Sequence, residues 1–195
     1  MPAPIEFWFD FSSPYGYLAS PRVDAVAARH GRAAAWRPFL LGAVFRSEGT
    51  QPLTDYPRKG AYSRRDFERT ARLHGVPFRM PEPFPIAALA ASRAFYVVLD
   101  RDGEAAAAGL AKALFAAYWA EGRNIAEPGV VLDLSGLRRE EIESPAAKER
   151  LRAMTAEAIG EKGVFGSPFF IVDGEPFWGA DRLEQADRWL ETGGW

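Results

Sequence analysis

The chain contains no cysteine. That excludes disulfides, thiolate metal centres and any cysteine nucleophile carried by the protein itself, so thiol chemistry here must use a borrowed thiol. Histidine is nearly as scarce, with only His30 and His74, each standing directly before a glycine. Such positions suit helix ends, where an imidazole interacts well with the dipole, and they offer no metal constellation. There is no G-x-S-x-G elbow and no G-x-x-x-x-G-K-S/T loop, which leaves serine-hydrolase and nucleotide-triphosphatase readings without support. An excess of one charge sign is also lacking: 24 basic and 26 acidic residues give a net charge of -2. Nothing electrostatic favours nucleic acid or an anionic membrane as a partner. Arg93 and Lys112 break the two most apolar stretches well short of the ~18 residues that a membrane span requires. The opening MPAPIEFWFD has no basic segment and carries Glu6 and Asp10 among its apolar residues, unlike a signal peptide. A cytoplasmic location is the resulting expectation.

What is present is an ordinary globular composition, 48% hydrophobic and 13% aromatic over 195 residues, enough for a sizeable core in one domain or in one domain with an insertion. Ile5 to Phe9 reads as a strand buried on both faces. From Pro14 the period becomes helical through Tyr15, Leu18, Val23 and Val26 to a stop at Gly31, and a second strand follows over Ala34 to Phe39. Strand, helix, strand with short loops predicts a right-handed βαβ unit with parallel strands. Near the far end, Phe169 to Val172 and Glu175 to Trp178 flank Asp173-Gly174, the favoured pair for a type I′ hairpin, and Pro176 predicts an edge position for the last strand. A closing helix is expected over Asp181 to Leu190. Between these ends, helical periodicity covers Ser63 to His74, Ile86 to Leu99, Glu104 to Glu121 and Ser144 to Ile159. The expected fold class is therefore α/β, a βαβ…ββα domain formed by residues 1–40 and 161–195, interrupted by an all-helical insertion over 41–160.

Three local patterns bear on chemistry. Ser13-Pro14 is a strong helix start, serine at the N-cap and proline in the first turn, whatever the protein does. The same place is also the C-terminal end of the first strand, where helix N–H groups and positive potential favour a bound anion such as a thiolate. Ser167-Pro168 reads either as a simple turn or as a cis proline that leaves the Ser167 backbone able to pair with an extended peptide, beside Ser13. Asp181 reads as an N-cap, or with Ala180 as a backbone N–H and a carboxylate offered to the amino-acid end of a ligand. Lys59 is by its type a surface lysine, of interest only if the insertion folds back over the end of the sheet.

The stretches F-D-F-S-S-P-Y, R-P-F-L-L-G at 37–42, P-R-K-G-A-Y at 57–62 and G-V-F-G-S-P-F-F…F-W-G-A-D-R-L at 163–183 together resemble the 2-hydroxychromene-2-carboxylate isomerases and their relatives, the kappa-class glutathione transferases. The resemblance spans nearly the whole chain. It implies a thioredoxin-like domain with a helical insertion, related to DsbA-like oxidoreductases, that binds glutathione as cofactor and works as a homodimer on a small aromatic substrate. Where the DsbA-like branch has C-x-x-C, this chain has Ser13-Pro14-Tyr15-Gly16, which rules out dithiol redox chemistry. Carried over by motif, Ser13 would hydrogen-bond the glutathione sulfur, and Ser167 with Pro168 would hold the cysteinyl unit. Ala180, Asp181 and Arg182 would hold the γ-glutamyl end, and Lys59 a carboxylate. Two positions depart from the kappa-class pattern, Thr50 in place of asparagine and Ala180 in place of serine. The implied reaction adds the glutathione thiolate to the conjugated double bond of an opened hydroxychromene; rotation and expulsion of the thiolate then give trans-o-hydroxybenzylidenepyruvate. Phe45, Tyr62, Phe84, Tyr96, Tyr118 and Trp119 are candidates to wall the substrate, and Arg37 or Arg46 to meet its carboxylate. A kappa-class-like transferase and a non-catalytic glutathione-binding module are the alternatives.

Overall fold

Ile5-Glu6-Phe7-Trp8-Phe9 sends alternate side chains to two covered faces. In the computed structural model, which describes residues 2–195, it forms an interior strand, β1 (Ile5–Phe9). On one face Phe7 stacks on Phe170 and meets Trp36 edge-on, while Phe9 leans on Phe115 with 5.2 Å between ring centroids. Each fully buried phenylalanine of this kind contributes roughly 1.5–3 kcal/mol relative to an exposed one. On the other face Trp8 is buried and gives its indole N–H to Glu6 at 2.8 Å, and Glu6 in turn pairs with Lys162 at 2.7 Å.

Helix α1 (Pro14–Arg29) buries Leu18, Val23, Val26 and Ala27 and returns the chain to β2 (Ala34–Pro38), which runs parallel to β1. The sheet order is β2-β1-β3-β4, with β3 (Phe169–Val172) antiparallel to β1 and β4 (Glu175–Trp178) antiparallel to β3. Asp173 and Gly174 both take positive φ, 53° and 90°, as a type I′ turn requires. Pro176 lies on the edge strand, as expected.

Between β2 and β3 the chain is helical: α2 (Leu41–Glu48), α3 (Pro57–His74), α4 (Leu89–Asp102), α5 (Glu104–Trp119), α6 (Pro128–Ser135), α7 (Arg139–Ile142) and α8 (Pro145–Gly160). Helix α9 (Leu183–Thr192) closes the chain. No helix among the described residues is long and apolar enough to cross a membrane. The architecture is the expected thioredoxin-like α/β fold with a helical segment between the two halves of its sheet.

Several boundaries differ from the sequence reading. Helix α3 begins six residues earlier than Ser63, at Pro57, because proline suits the first turn while the exposed Arg58 and Lys59 carry no apolar signal. Helix α4 begins at Leu89 instead of Ile86; the Ile86 N–H donates to the Ser12 hydroxyl at 3.0 Å. The closing helix begins at Leu183 because Ala180–Arg182 form a 3₁₀ turn first. Helices α2, α6 and α7 escape the periodicity because each is too short to show a repeated apolar face.

Candidate active site

Ser13 occupies the N-cap of α1 with extended backbone, φ -91° and ψ 114°, and its Oγ accepts the Gly16 N–H at 3.1 Å. The capping half of the expectation therefore holds. The hydroxyl has one proton, and it is donated to the carbonyl oxygen of Ser167 at 3.0 Å. Two residues 154 positions apart in the chain thus meet at the end of the sheet. Ser13 is buried at 4% exposure, Ser167 is half-buried, and the Ser167–Pro168 peptide bond is cis. Gly16 makes the approach possible: a Cβ there would lie 3.2 Å from both the Ser13 Cβ and the Ser167 Oγ, tighter than ordinary contact.

The turn after β4 is joined to this pair, because the Gly179 N–H donates to the Pro168 carbonyl at 3.0 Å. Ala180 is buried, whereas Asp181 and Arg182 are exposed and paired with each other at 3.2 Å. The Asp181 side chain caps no helix, so that part of the expectation is corrected: a 3₁₀ turn stands there, and neither it nor α9 has a side-chain cap. Lys59 lies in the first turn of α3, exposed, with its ammonium 4.9 Å from the centre of the Tyr56 ring. Helix α3 is held to α1 by the Tyr15 hydroxyl, which donates to Asp66 at 2.5 Å, about two turns beyond Lys59. Ser13, Ser167, Pro168 and the Ala180–Arg182 turn are therefore brought together, and Lys59 is linked to them only through its helix.

Substrate-wall candidates fare differently. Tyr96, Tyr118 and Trp119 are fully buried, with their polar hydrogens donated to the carbonyls of Pro38, Pro83 and Phe11. They belong to the core, not to a substrate wall. Arg37 is corrected as well: its guanidinium is held bidentately by Glu104 and also by the Trp36 carbonyl. Arg46 is exposed on α2 and makes no ion pair among the described residues.

Three features pass unnoticed in the sequence patterns. Phe165 and Trp178 form an exposed aromatic pair, 4.9 Å between centroids, flanking the loop that carries Ser167. Arg22 reaches from α1 to the Ala180 carbonyl at 3.2 Å and to Glu184 at 3.4 Å. Asp10, at the end of β1, is 7% exposed and accepts the N–H groups of Ser12 and Leu41 at 2.7 and 2.8 Å. Burial pushes its carboxyl up to about 6 in spite of those two bonds, which favour the ionised form.

Comparison with known proteins accords with this geometry. A family model described as a DSBA-like thioredoxin domain matches residues 4–191. A 2-hydroxychromene-2-carboxylate isomerase of Pseudomonas putida is 33% identical over 191 residues, 92% of this chain and 90% of the relative. Glutathione S-transferase kappa 2 of Caenorhabditis elegans is 28% identical over 212 residues, covering 95% of this chain and 91% of the relative. The solved structure of a 2-hydroxychromene-2-carboxylate isomerase superposes with a TM-score of 0.84 at 30% identity, covering 96% of this chain and 94% of that one. The serine-for-cysteine helix start, the Ser167-Pro168 turn beside it and these likenesses together show that the chain belongs to the DsbA-like thioredoxin family, in the branch of the 2-hydroxychromene-2-carboxylate isomerases and their kappa-class relatives.

Proposed function

We propose that this protein is a glutathione-dependent isomerase that interconverts 2-hydroxychromene-2-carboxylate and trans-o-hydroxybenzylidenepyruvate, or a closely related aromatic pair. The observation that carries the reading is the Ser13 hydroxyl held 3.0 Å from the Ser167 carbonyl at the N-terminus of a helix, in a chain without cysteine. That donor set fits glutathione: a hydroxyl proton and a helix N-terminus suit a sulfur anion, and a carbonyl oxygen suits the cysteinyl N–H next to it. The γ-glutamyl end falls to Ala180, Asp181 and Arg182, and a carboxylate to Lys59. Glutathione would supply the nucleophilic sulfur that makes the substrate's conjugated double bond transiently single.

The protein's own contribution is to keep that sulfur ionised. A free thiol has a pKa of about 8.5, and lowering it by about two units takes about 2.7 kcal/mol. A hydroxyl donated to a charged acceptor contributes roughly 1.5–3 kcal/mol, and a helix N-terminus roughly 0.3–2 kcal/mol. The Ser13 proton already has a partner in the Ser167 carbonyl, so turning it to sulfur has a cost. That cost is offset when the same carbonyl accepts the cysteinyl N–H. One proton and one carbonyl thus exchange partners, and no buried polar group is left unpaired.

The kappa-class relative supports a second reading, a transferase that uses the same thiolate but leaves glutathione on its product. One assay separates the two. Mixed with 2-hydroxychromene-2-carboxylate and glutathione, the protein is expected to speed optical equilibration with no loss of free glutathione. Acceleration without glutathione, or none with it, contradicts the isomerase; a glutathione-bearing product establishes the transferase.

A further inference from the structure

Asp10 bonds to three segments that meet at the site: the turn into α1, the start of α2 and the loop that carries Ser167. Its Oδ1 accepts the Ser12 N–H and its Oδ2 the Leu41 N–H, the first amide of α2, which has no side-chain cap of its own. Its backbone N–H donates to the Ser167 Oγ at 3.0 Å, and its carbonyl accepts the Ser13 N–H at 2.9 Å. One residue therefore fixes both serines of the thiol site and the start of the helical segment. We propose that Asp10 is the positioning residue of the site, holding the Ser13 hydroxyl and the Ser167 carbonyl in register only while its carboxylate is ionised and takes both N–H groups.

The chemistry follows from counting acceptors. An ionised carboxylate offers two oxygens to the two N–H groups; once protonated, one oxygen becomes a hydroxyl, a donor and a much weaker acceptor for the N–H it faces. The groups packed around Asp10 supply no cation. The turn into α1 presents the N–H groups of Ser12 and Ser13, α2 presents the Leu41 N–H, the loop before β3 presents the Ser167 hydroxyl, and α5 presents the Tyr118 phenol, itself held neutral by burial. Burial opposes the charge and outweighs the two backbone N–H bonds, from Leu41 and Ser12, that favour it, which places the carboxyl at about 6, within the range where a cell's pH matters.

The inference rests on the glutathione reading above, and its test uses a ligand whose own ionisation cannot interfere. Binding of γ-glutamyl-seryl-glycine, the oxygen analogue of glutathione, is measured by calorimetry from about pH 5 to about pH 7.5, across the Asp10 value. For the unaltered protein, affinity is expected to fall about tenfold toward the acid end with a midpoint at the Asp10 carboxyl titration read by NMR. Asp10→Asn is expected to bind weakly at every pH, like the acid form. It is also expected to lose the destabilising contribution that Asp10 makes as pH rises from 3.8 to about 6, the window in which this carboxyl is protonated in the folded state alone. Flat analogue affinity in the unaltered protein, a binding midpoint away from the carboxyl titration, or full affinity in Asp10→Asn at the alkaline end overturns the proposal. If glutathione itself fails to bind the unaltered protein, the functional reading falls first and this one with it.

Discussion

Ser13 and Gly16 divide one task between them. The serine supplies a proton and an N-cap, and the glycine supplies the space in which that proton can reach Ser167. Gly16→Ala places a methyl 3.2 Å from atoms on both sides of the pair. Alanine also suits a helix better than glycine by roughly 0.5–1 kcal/mol, which offsets part of that crowding, so stability is expected to change little. Glutathione affinity is expected to fall by about tenfold, about 1.4 kcal/mol, as the Ser13 and Ser167 side chains are pushed apart. A thermal melt beside a calorimetric titration checks both halves. Ser13, Ser167 and Pro168 were legible in the sequence because serine before proline has a local meaning. Asp10 was not: a single acid at the end of an apolar run carries no periodic signal, and its partners Leu41 and Ser167 come from distant parts of the chain.

At the scale of elements, the link between α1 and α3 decides where Lys59 can be. Tyr15 gives its hydroxyl to Asp66 and sets its ring edge-on to Phe67 at 5.0 Å, while Arg69 also binds Asp66. Burial, helped by Asp66, pushes the Tyr15 phenol above its ordinary value, so the donor proton stays in place throughout the working pH range. Tyr15→Phe is expected to cost about 1.5 kcal/mol, the lower end for a bond to a charged group, because Arg69 still serves Asp66. Hydrogen exchange in the first turns of α3 should quicken while the sheet amides stay protected; unchanged exchange in α3 would count against the clasp. The first turns of α3 are hard to read from sequence for a related reason. Its buried stripe is Gly60, Ser63, Phe67 and Ala71, with one large apolar residue among small ones. The sheet strands, by contrast, carry their signal in aromatic and β-branched residues, and their limits agree with expectation to within a residue.

For the molecule as a whole, the fold sets an exposed turn and a serine pair, one buried and one half-buried, at the end of one sheet, and in the proposed reading the reactive sulfur comes from a ligand. A buried carboxylate at that point opposes folding as it ionises, which is tolerable in a large, ring-filled core and useful if it tunes the site. The account's central claim is that Ser13 keeps a borrowed thiol ionised. The direct measurement is an ultraviolet thiolate titration of glutathione bound to the unaltered protein and to Ser13→Ala. Bound to the unaltered protein, the thiol is expected to ionise about two units below its free value of about 8.5. In Ser13→Ala the value should return most of the way, in a protein still folded after losing about 1 kcal/mol of capping. The same titration midpoint in both proteins would contradict the account.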